Sequence, residues 1–194
     1  MSEKISIRGT QTQKNLLSAF ANESQARNRY EFFAEVALHE GYGAIARFFE
    51  ETAHNEREHA RQFFSLLDGG SLQVTATYPS GVISTTVDNL RSAAESEYGE
   101  WSELYPEFAK VAEDEGFLAI SKKFLLVSRV EQLHQERFSA LLSCLESGAI
   151  FSKEVSTSWR CHECGHVHFG VDAPLVCPLC SHPQSFFEVG CDCF

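Results

Sequence analysis

Apolar positions recur at helical spacing through most of the first 150 residues. Leu16, Leu17, Phe20, Ala26, Tyr30, Phe33 and Ala37 fall on one face of a predicted helix over 12–40, punctuated by Gly41 and Gly43. A second helix is predicted over 43–67, stopped by Asp68-Gly69-Gly70. A third starts at the capping residues Thr85-Thr86 and reaches Glu115, before Gly116. Pro106 lies inside it and is expected to kink it or reset its hydrogen bonding. A fourth is predicted over 117–146, with Gly148 beyond its end. The stretch GGSLQVTATYPSG, between the second and third, is too long for a tight turn and lacks helical periodicity. Short, long, short connections describe a four-helix bundle with one crossover. From Ser156 onward the periodicity stops, and short apolar pieces alternate with Gly, Pro and Cys. That segment reads as a small β-rich module stapled by metal.

The chain has 194 residues, with 43% hydrophobic and 22% charged positions, as in ordinary soluble domains. Its formal net charge of -11 argues against nucleic acid, whose binding rests on Lys and Arg at phosphates, and against an anionic membrane surface. No apolar run approaches the ~20 residues of a membrane span. The start, MSEKISIRGT, lacks the apolar core of an export signal. Six of the seven cysteines crowd the last 34 positions, and only Cys144 lies before residue 161. The expectation is a reducing cytoplasm and metal thiolates rather than disulfides.

The stretch ETAHNEREHARQFF (51–64) holds two E-x-x-H pairs, Glu51/His54 and Glu56/His59. An internal repeat separates them. Residues 31–49 align with 106–124 at an offset of 75, and Tyr30 meets Tyr105. The same offset carries Glu56 onto Glu131 and His59 onto His134, whereas Glu51 and His54 meet Leu126 and Arg129. Glu56/His59 is therefore assigned to chemistry and Glu51/His54 to the outer surface. Glu23 lies seven residues before Tyr30, but its counterpart Glu97 lies eight before Tyr105. One extra residue in the third helix predicts a π-bulge, a device frequent at functional sites.

One Glu from each of two helices and a Glu-x-x-His from each of the other two form the ligand set of carboxylate-bridged metal pairs. Here that set is Glu23, Glu97, Glu56/His59 and Glu131/His134. Carboxylates can bridge two cations about 3.5–4 Å apart, and imidazole adds a neutral nitrogen donor suited to iron. Glu100, one turn after Glu97, is a further candidate. Glu95, Glu103 and Glu107 read as surface. Tyr30 and Tyr105 are either packed aromatics or hydroxyl donors to ligating carboxylates.

Cys161-x-x-Cys164 and Cys177-x-x-Cys180 flank twelve residues and make a closed S₄ site. The spacing alone leaves zinc and iron open. His162, His166, His168 and His182 are expected to be exposed rather than ligating. Cys144, Cys191 and Cys193 receive no role.

The chain resembles the rubrerythrins through AFANESQARNRY, FFEETAHNEREHA, AAESEYGEWSELYPEFAKVAEDEGF, VEQLHQERF and WRCHECGHVHFGVDAPLVCPLCSHPQSFFEV. The resemblance implies a ferritin-like di-iron bundle over 1–150 and a rubredoxin-like Fe(Cys)₄ module over 156–194. It makes Glu23, Glu56, His59, Glu97, Glu100, Glu131 and His134 the di-iron ligands, with His59 and Glu100 exchanging on one iron as oxidation state changes. It moves the metal at Cys161, Cys164, Cys177 and Cys180 towards iron, with zinc as a substitute. Ser181 departs from the Gly usual there in free-standing rubredoxins.

The implied activity is reduction of hydrogen peroxide to water in oxidative-stress defence, with Glu100, His59, Tyr30 and Tyr105 nearest the chemistry. The implied partners are a rubredoxin or an NAD(P)H-dependent flavoprotein reductase as electron donor. A homodimer or larger homo-oligomer is implied as well, with no nucleic acid and no membrane. Rival readings are a ferroxidase, which has no use for a one-electron S₄ relay, and a non-catalytic zinc-ribbon module.

Overall fold

The computed structural model describes residues 6–190. Its helices are α1 (Gln11–His39), α2 (Gly43–Phe64), α3 (Thr86–Gly99), α4 (Tyr105–Asp114) and α5 (Leu118–Glu146), with a π-helical segment, Glu100–Leu104, between α3 and α4. A sheet of β1 (Ser152–Cys161), β2 (Val167–Asp172) and β3 (Phe187–Val189) follows, with strand order β2-β1-β3 and both pairings antiparallel. α1 packs along α2, and α3, the π segment and α4 pack along α5. The 65–85 stretch crosses between the hairpins without regular structure beyond turns. This is a ferritin-like bundle carrying a small β module. Among the described residues, no helix is long and apolar enough to cross a membrane.

The second helix ends at Phe64, three residues before the predicted Leu67. Leu66 and Leu67 donate to carbonyls three residues back, a tightening that stops the α-ladder ahead of the glycines. The predicted third helix is α3, the π segment and α4 in series. The Tyr105 N–H reaches back five residues to the Glu100 carbonyl. Pro106, next in line, has no N–H, and the Trp101 carbonyl it would have met in that register accepts from Ser128 Oγ at 3.1 Å. The extra residue and the proline are thus one local solution. β1 begins at Ser152, four residues before the composition changes.

The repeat is visible in the helix ends. Gly41 and Gly116, at φ +87° and +85°, close α1 and α4 in the left-handed conformation that glycine adopts without a Cβ clash. The preceding glutamates cross the bundle. Glu115 accepts from the Gln11 and Thr12 N–H groups (3.0 and 2.8 Å) and from the Thr12 hydroxyl, while Glu40 accepts from the Thr86 N–H at 3.0 Å. Burial pulls the Glu115 pKa up, but these donors outweigh it and hold it below the ordinary value. A depressed folded-state pKa contributes stability above the unfolded carboxylate pKa, and that contribution is lost as pH falls through the folded value. Glu115→Gln is expected to cost about 1 kcal/mol at neutral pH, the usual worth of a helix cap, with the deficit closing in acid. Urea unfolding of the metal-free chain across that pH range measures it.

The module sits on the start of α2. A Cβ on Gly43 would lie 2.5 Å from the Ser185 carbonyl oxygen, so only glycine permits this approach. Arg47 pairs with Glu188, and Tyr42 stacks on Phe151. The repeat carries Gly43 onto Leu118, which is exposed, so among the described residues only the first half of the bundle has a module seated on it.

Two apolar clusters fill the bundle. One holds Tyr30, Phe33, Phe49, Leu90 and Phe138; the other holds Leu16, Phe63, Tyr105, Phe117 and Phe124. Along the chain, Glu23, Glu56/His59, Glu97/Glu100 and Glu131/His134 each lie between residues of one cluster and residues of the other. The carboxylates are therefore closed off from water at both ends.

Candidate metal centres

Each Glu-x-x-His pair sits on one helix face because residues three apart are neighbours there. Glu56/His59 come from α2 and Glu131/His134 from α5, while Glu23 comes from α1 and Glu97 from α3. Packing brings them into two quartets, Glu23/Glu56/His59/Glu131 and Glu56/Glu97/Glu131/His134, each with donor atoms within 4.8 Å of one another. Glu56 and Glu131 belong to both, which is the placement of bridging carboxylates. His59 Nδ1 lies 2.9 Å from Glu56 Oε2 and 3.0 Å from Glu131 Oε1; His134 Nδ1 lies 3.1 Å from Glu56 Oε1 and 2.8 Å from Glu131 Oε2.

These groups are buried, yet they do not satisfy one another. Oε2 of Glu23, Oε1 of Glu56, Oε2 of Glu97 and both oxygens of Glu131 have no aligned hydrogen-bond partner. Orphaned carboxylate oxygens at this depth carry a large desolvation cost. Their electrostatics say the same. Burial, then the Glu131 charge, push Glu23 well above the usual carboxylate range. Burial, then the Glu100 charge, do so for Glu97. Burial and Glu131 push Glu100 up to about 8. Burial would also raise Glu56, but the adjacent His134 and His59 imidazoles hold it at about 2. Burial opposes charge on both histidines, yet the surrounding carboxylates raise His59 strongly and His134 to about 9. A carboxylate and imidazole donor set of this kind, with buried oxygens left unpartnered, fits two iron ions.

Tyr30 and Tyr105, both buried, donate across the repeat: Tyr30 to Glu97 Oε1, and Tyr105 to Glu23 Oε1. Burial, then the charge of the accepting glutamate, raise both phenol pKa values, so both stay protonated donors. Glu100 is buried in the π segment but lies outside both quartets, accepting from Ser96 Oγ at 3.3 Å. Arg29 Nη2 in turn donates to Ser96 at 2.9 Å. Sequence reading did not single out Ser96, Arg29 or Asn55, whose Oδ1 lies 3.2 Å from His134 Nε2. No motif marks them, because each meets its partner only across helices. Glu51 and His54 are exposed, with Glu51 paired to Arg137, and Glu95, Glu103 and Glu107 are exposed too.

In the module, Cys161, Cys164, Cys177 and Cys180 form a third quartet. Their sulfurs are 3.8 Å apart (Cys161–Cys180) and 3.6 Å apart (Cys164–Cys177). A tetrahedron with metal–sulfur bonds of ~2.3 Å has edges of about that length. Each knuckle closes alike: Gly165 N–H donates to Cys161 O, and Ser181 N–H to Cys177 O. Ser181 holds φ +62°, the left-handed conformation that Gly165 takes in the other knuckle. The four histidines are half-buried rather than exposed, and two of them, His162 and His182, pack on Phe186 at 4.8 and 4.4 Å between ring centroids. None joins a metal quartet. Phe187 belongs to the module core with Trp159, and Phe186 packs against it. Cys191 and Cys193 lie outside the described residues.

The sequence matches the rubrerythrin family over residues 14–142 and the rubredoxin-like domain of rubrerythrin over 159–188. A rubrerythrin of Porphyromonas gingivalis is 51% identical over 183 residues, covering 94% of this chain and 92% of that one. The chain belongs to the rubrerythrin family. A rubrerythrin of Nitratidesulfovibrio vulgaris is 44% identical over 184 residues, covering 95% of this chain and 96% of its own length. A nigerythrin structure, described as partially reduced, superposes with a TM-score of 0.63 at 30% identity, covering 98% of this chain and 91% of that one. As a rubrerythrin-family protein, the chain carries a ferritin-like di-iron site and a four-cysteine rubredoxin-like iron site.

Proposed function

We propose that this rubrerythrin-family chain is a peroxidase that takes hydrogen peroxide, two protons and two electrons to two waters. One observation carries the reading: two metal quartets sharing Glu56 and Glu131 occur in the same chain as a tetrahedral thiolate quartet. Held by Glu23, Glu56, His59, Glu97, Glu131 and His134, a ferrous pair would supply the two electrons that O–O cleavage requires, and iron held by Cys161, Cys164, Cys177 and Cys180 would supply electrons one at a time. Tyr30 and Tyr105 orient Glu97 and Glu23 by donating their phenol protons. The two apolar clusters keep bulk water from the carboxylates. His59 and Glu100 approach from different elements, one neutral when metal-bound and the other anionic, so exchanging them changes the charge of the ligand set by one.

The module contacts α2 at Gly43, thirteen residues before Glu56. At 1.5 Å per residue that is about 20 Å along the helix, a long path within one chain. The reading therefore includes a homodimer or larger assembly in which one subunit's module serves another's bundle. A rubredoxin or an NAD(P)H-dependent flavoprotein reductase supplies the electrons.

The test is anaerobic reduction followed by one equivalent of peroxide. Stoichiometric reoxidation, with the red colour of a ferric thiolate returning, is expected; no reoxidation by peroxide would end the reading. In Glu100→Gln, iron loading should stay near wild type while turnover falls about 10–100-fold, the usual cost of disturbing a metal site's support. Iron content and steady-state peroxide consumption measure the two separately.

A further inference from the structure

The repeat pairs Glu23 with Glu97, Glu56 with Glu131 and His59 with His134, but it does not repeat what holds the two histidines. His134 presents Nδ1 to Glu56 and Glu131 and Nε2 to Asn55 Oδ1, at 3.2 Å. An amide oxygen only accepts, so this contact places the proton on Nε2 and leaves the Nδ1 lone pair for a metal. The offset of 75 that carries His59 onto His134 carries Asn55 onto Val130. The two-fold image of the Asn55–His134 contact would pair Val130 with His59, and valine has no acceptor. Accordingly, the only side-chain hydrogen bond of His59 among the described residues is on the metal side, Nδ1 to Glu56 Oε2. Its side chain is also the more exposed of the two, at 12% against 5%.

We infer that Asn55 is a positioning residue that locks His134 as a permanent ligand, and that Val130, by offering no acceptor, leaves His59 able to turn away. The asymmetry decides which half of the pseudo-symmetric centre exchanges a ligand. This inference rests on the reading of His59 and Glu100 as alternatives.

The test titrates the metal-free full-length chain with Co²⁺. Thiolate charge-transfer bands report the module, and weaker visible bands report the carboxylate and imidazole sites. Wild type is expected to take two bundle equivalents. In Asn55→Ala, one of them should weaken about 10–100-fold while the other holds. Asn55→Asp, which keeps an acceptor, should restore it. In Val130→Asn, the weaker wild-type equivalent should tighten. Asn55→Ala leaving both equivalents unchanged, or weakening both alike, would overturn the role of Asn55, and an unresponsive Val130→Asn would overturn that of Val130. A wild-type chain that binds cobalt only at its thiolates would instead defeat the metal-centre reading itself.

Discussion

Replacing Glu131 with glutamine is expected to strip both ions from the bundle, not one. Glu131 stands in both quartets, and both of its oxygens are buried without an aligned hydrogen-bond partner. Its loss removes from both ions at once a shared ligand and its single negative charge. Peroxide turnover should fall by more than about 100-fold, beyond the 10–100-fold typical of losing a residue that only supports a ligand. Iron analysis should find the thiolate iron retained and the bundle iron largely gone. The melting temperature gives an independent check. An ion present at a thousand times its dissociation constant adds about 4 kcal/mol to the folded state. The rise in melting temperature on loading should therefore shrink to a small fraction of the wild-type rise. A variant that keeps one tightly bound ion would show that the bridge is not shared.

In Cys177→Ser, the expected result separates the two halves of the chain. The module core consists of Trp159, Cys161, Ala173, Cys177 and Phe187. That is too little apolar burial to fold a short segment alone, and such domains depend on their metal. Metal binding in comparable small sites is linked to about 10–16 kcal/mol of folding free energy. Loss of one of four thiolates should unfold the module and abolish the red colour. The bundle has its own two clusters and should keep its helices and both ions. A reduced bundle should still consume one equivalent of peroxide, while sustained turnover with an electron donor collapses. Sustained turnover in the colourless variant would show that the thiolate iron is not the relay. Single-turnover and steady-state assays on the same sample make the distinction.

The helices were legible because their apolar positions repeat at a helical period, and the ligand pairs because Glu-x-x-His places both groups on one face. The π segment was legible too, as a one-residue difference between Glu23–Tyr30 and Glu97–Tyr105. The early end of α2 was not: Leu66 and Leu67 are apolar enough to continue the pattern, and the chain leaves the helix through local turn bonds. The half-burial of His162 and His182 was not legible either, because it comes from Phe186, on a 3₁₀ turn distant in sequence from His162.

By itself, then, the sequence determined the kinds of donor, their number, and the helix face on which each pair stands. These follow from spacing within one element, which backbone geometry sets. Only the tertiary structure decided that Glu56 and Glu131 serve both quartets, that Tyr30 and Tyr105 cross to the opposite half, and that Glu100 stays outside. It alone decided that Asn55 holds His134 while Val130 stands in the corresponding place. Those relations depend on the rotation and depth at which separate helices pack, and no periodicity along one chain encodes the distance between two side chains on different helices.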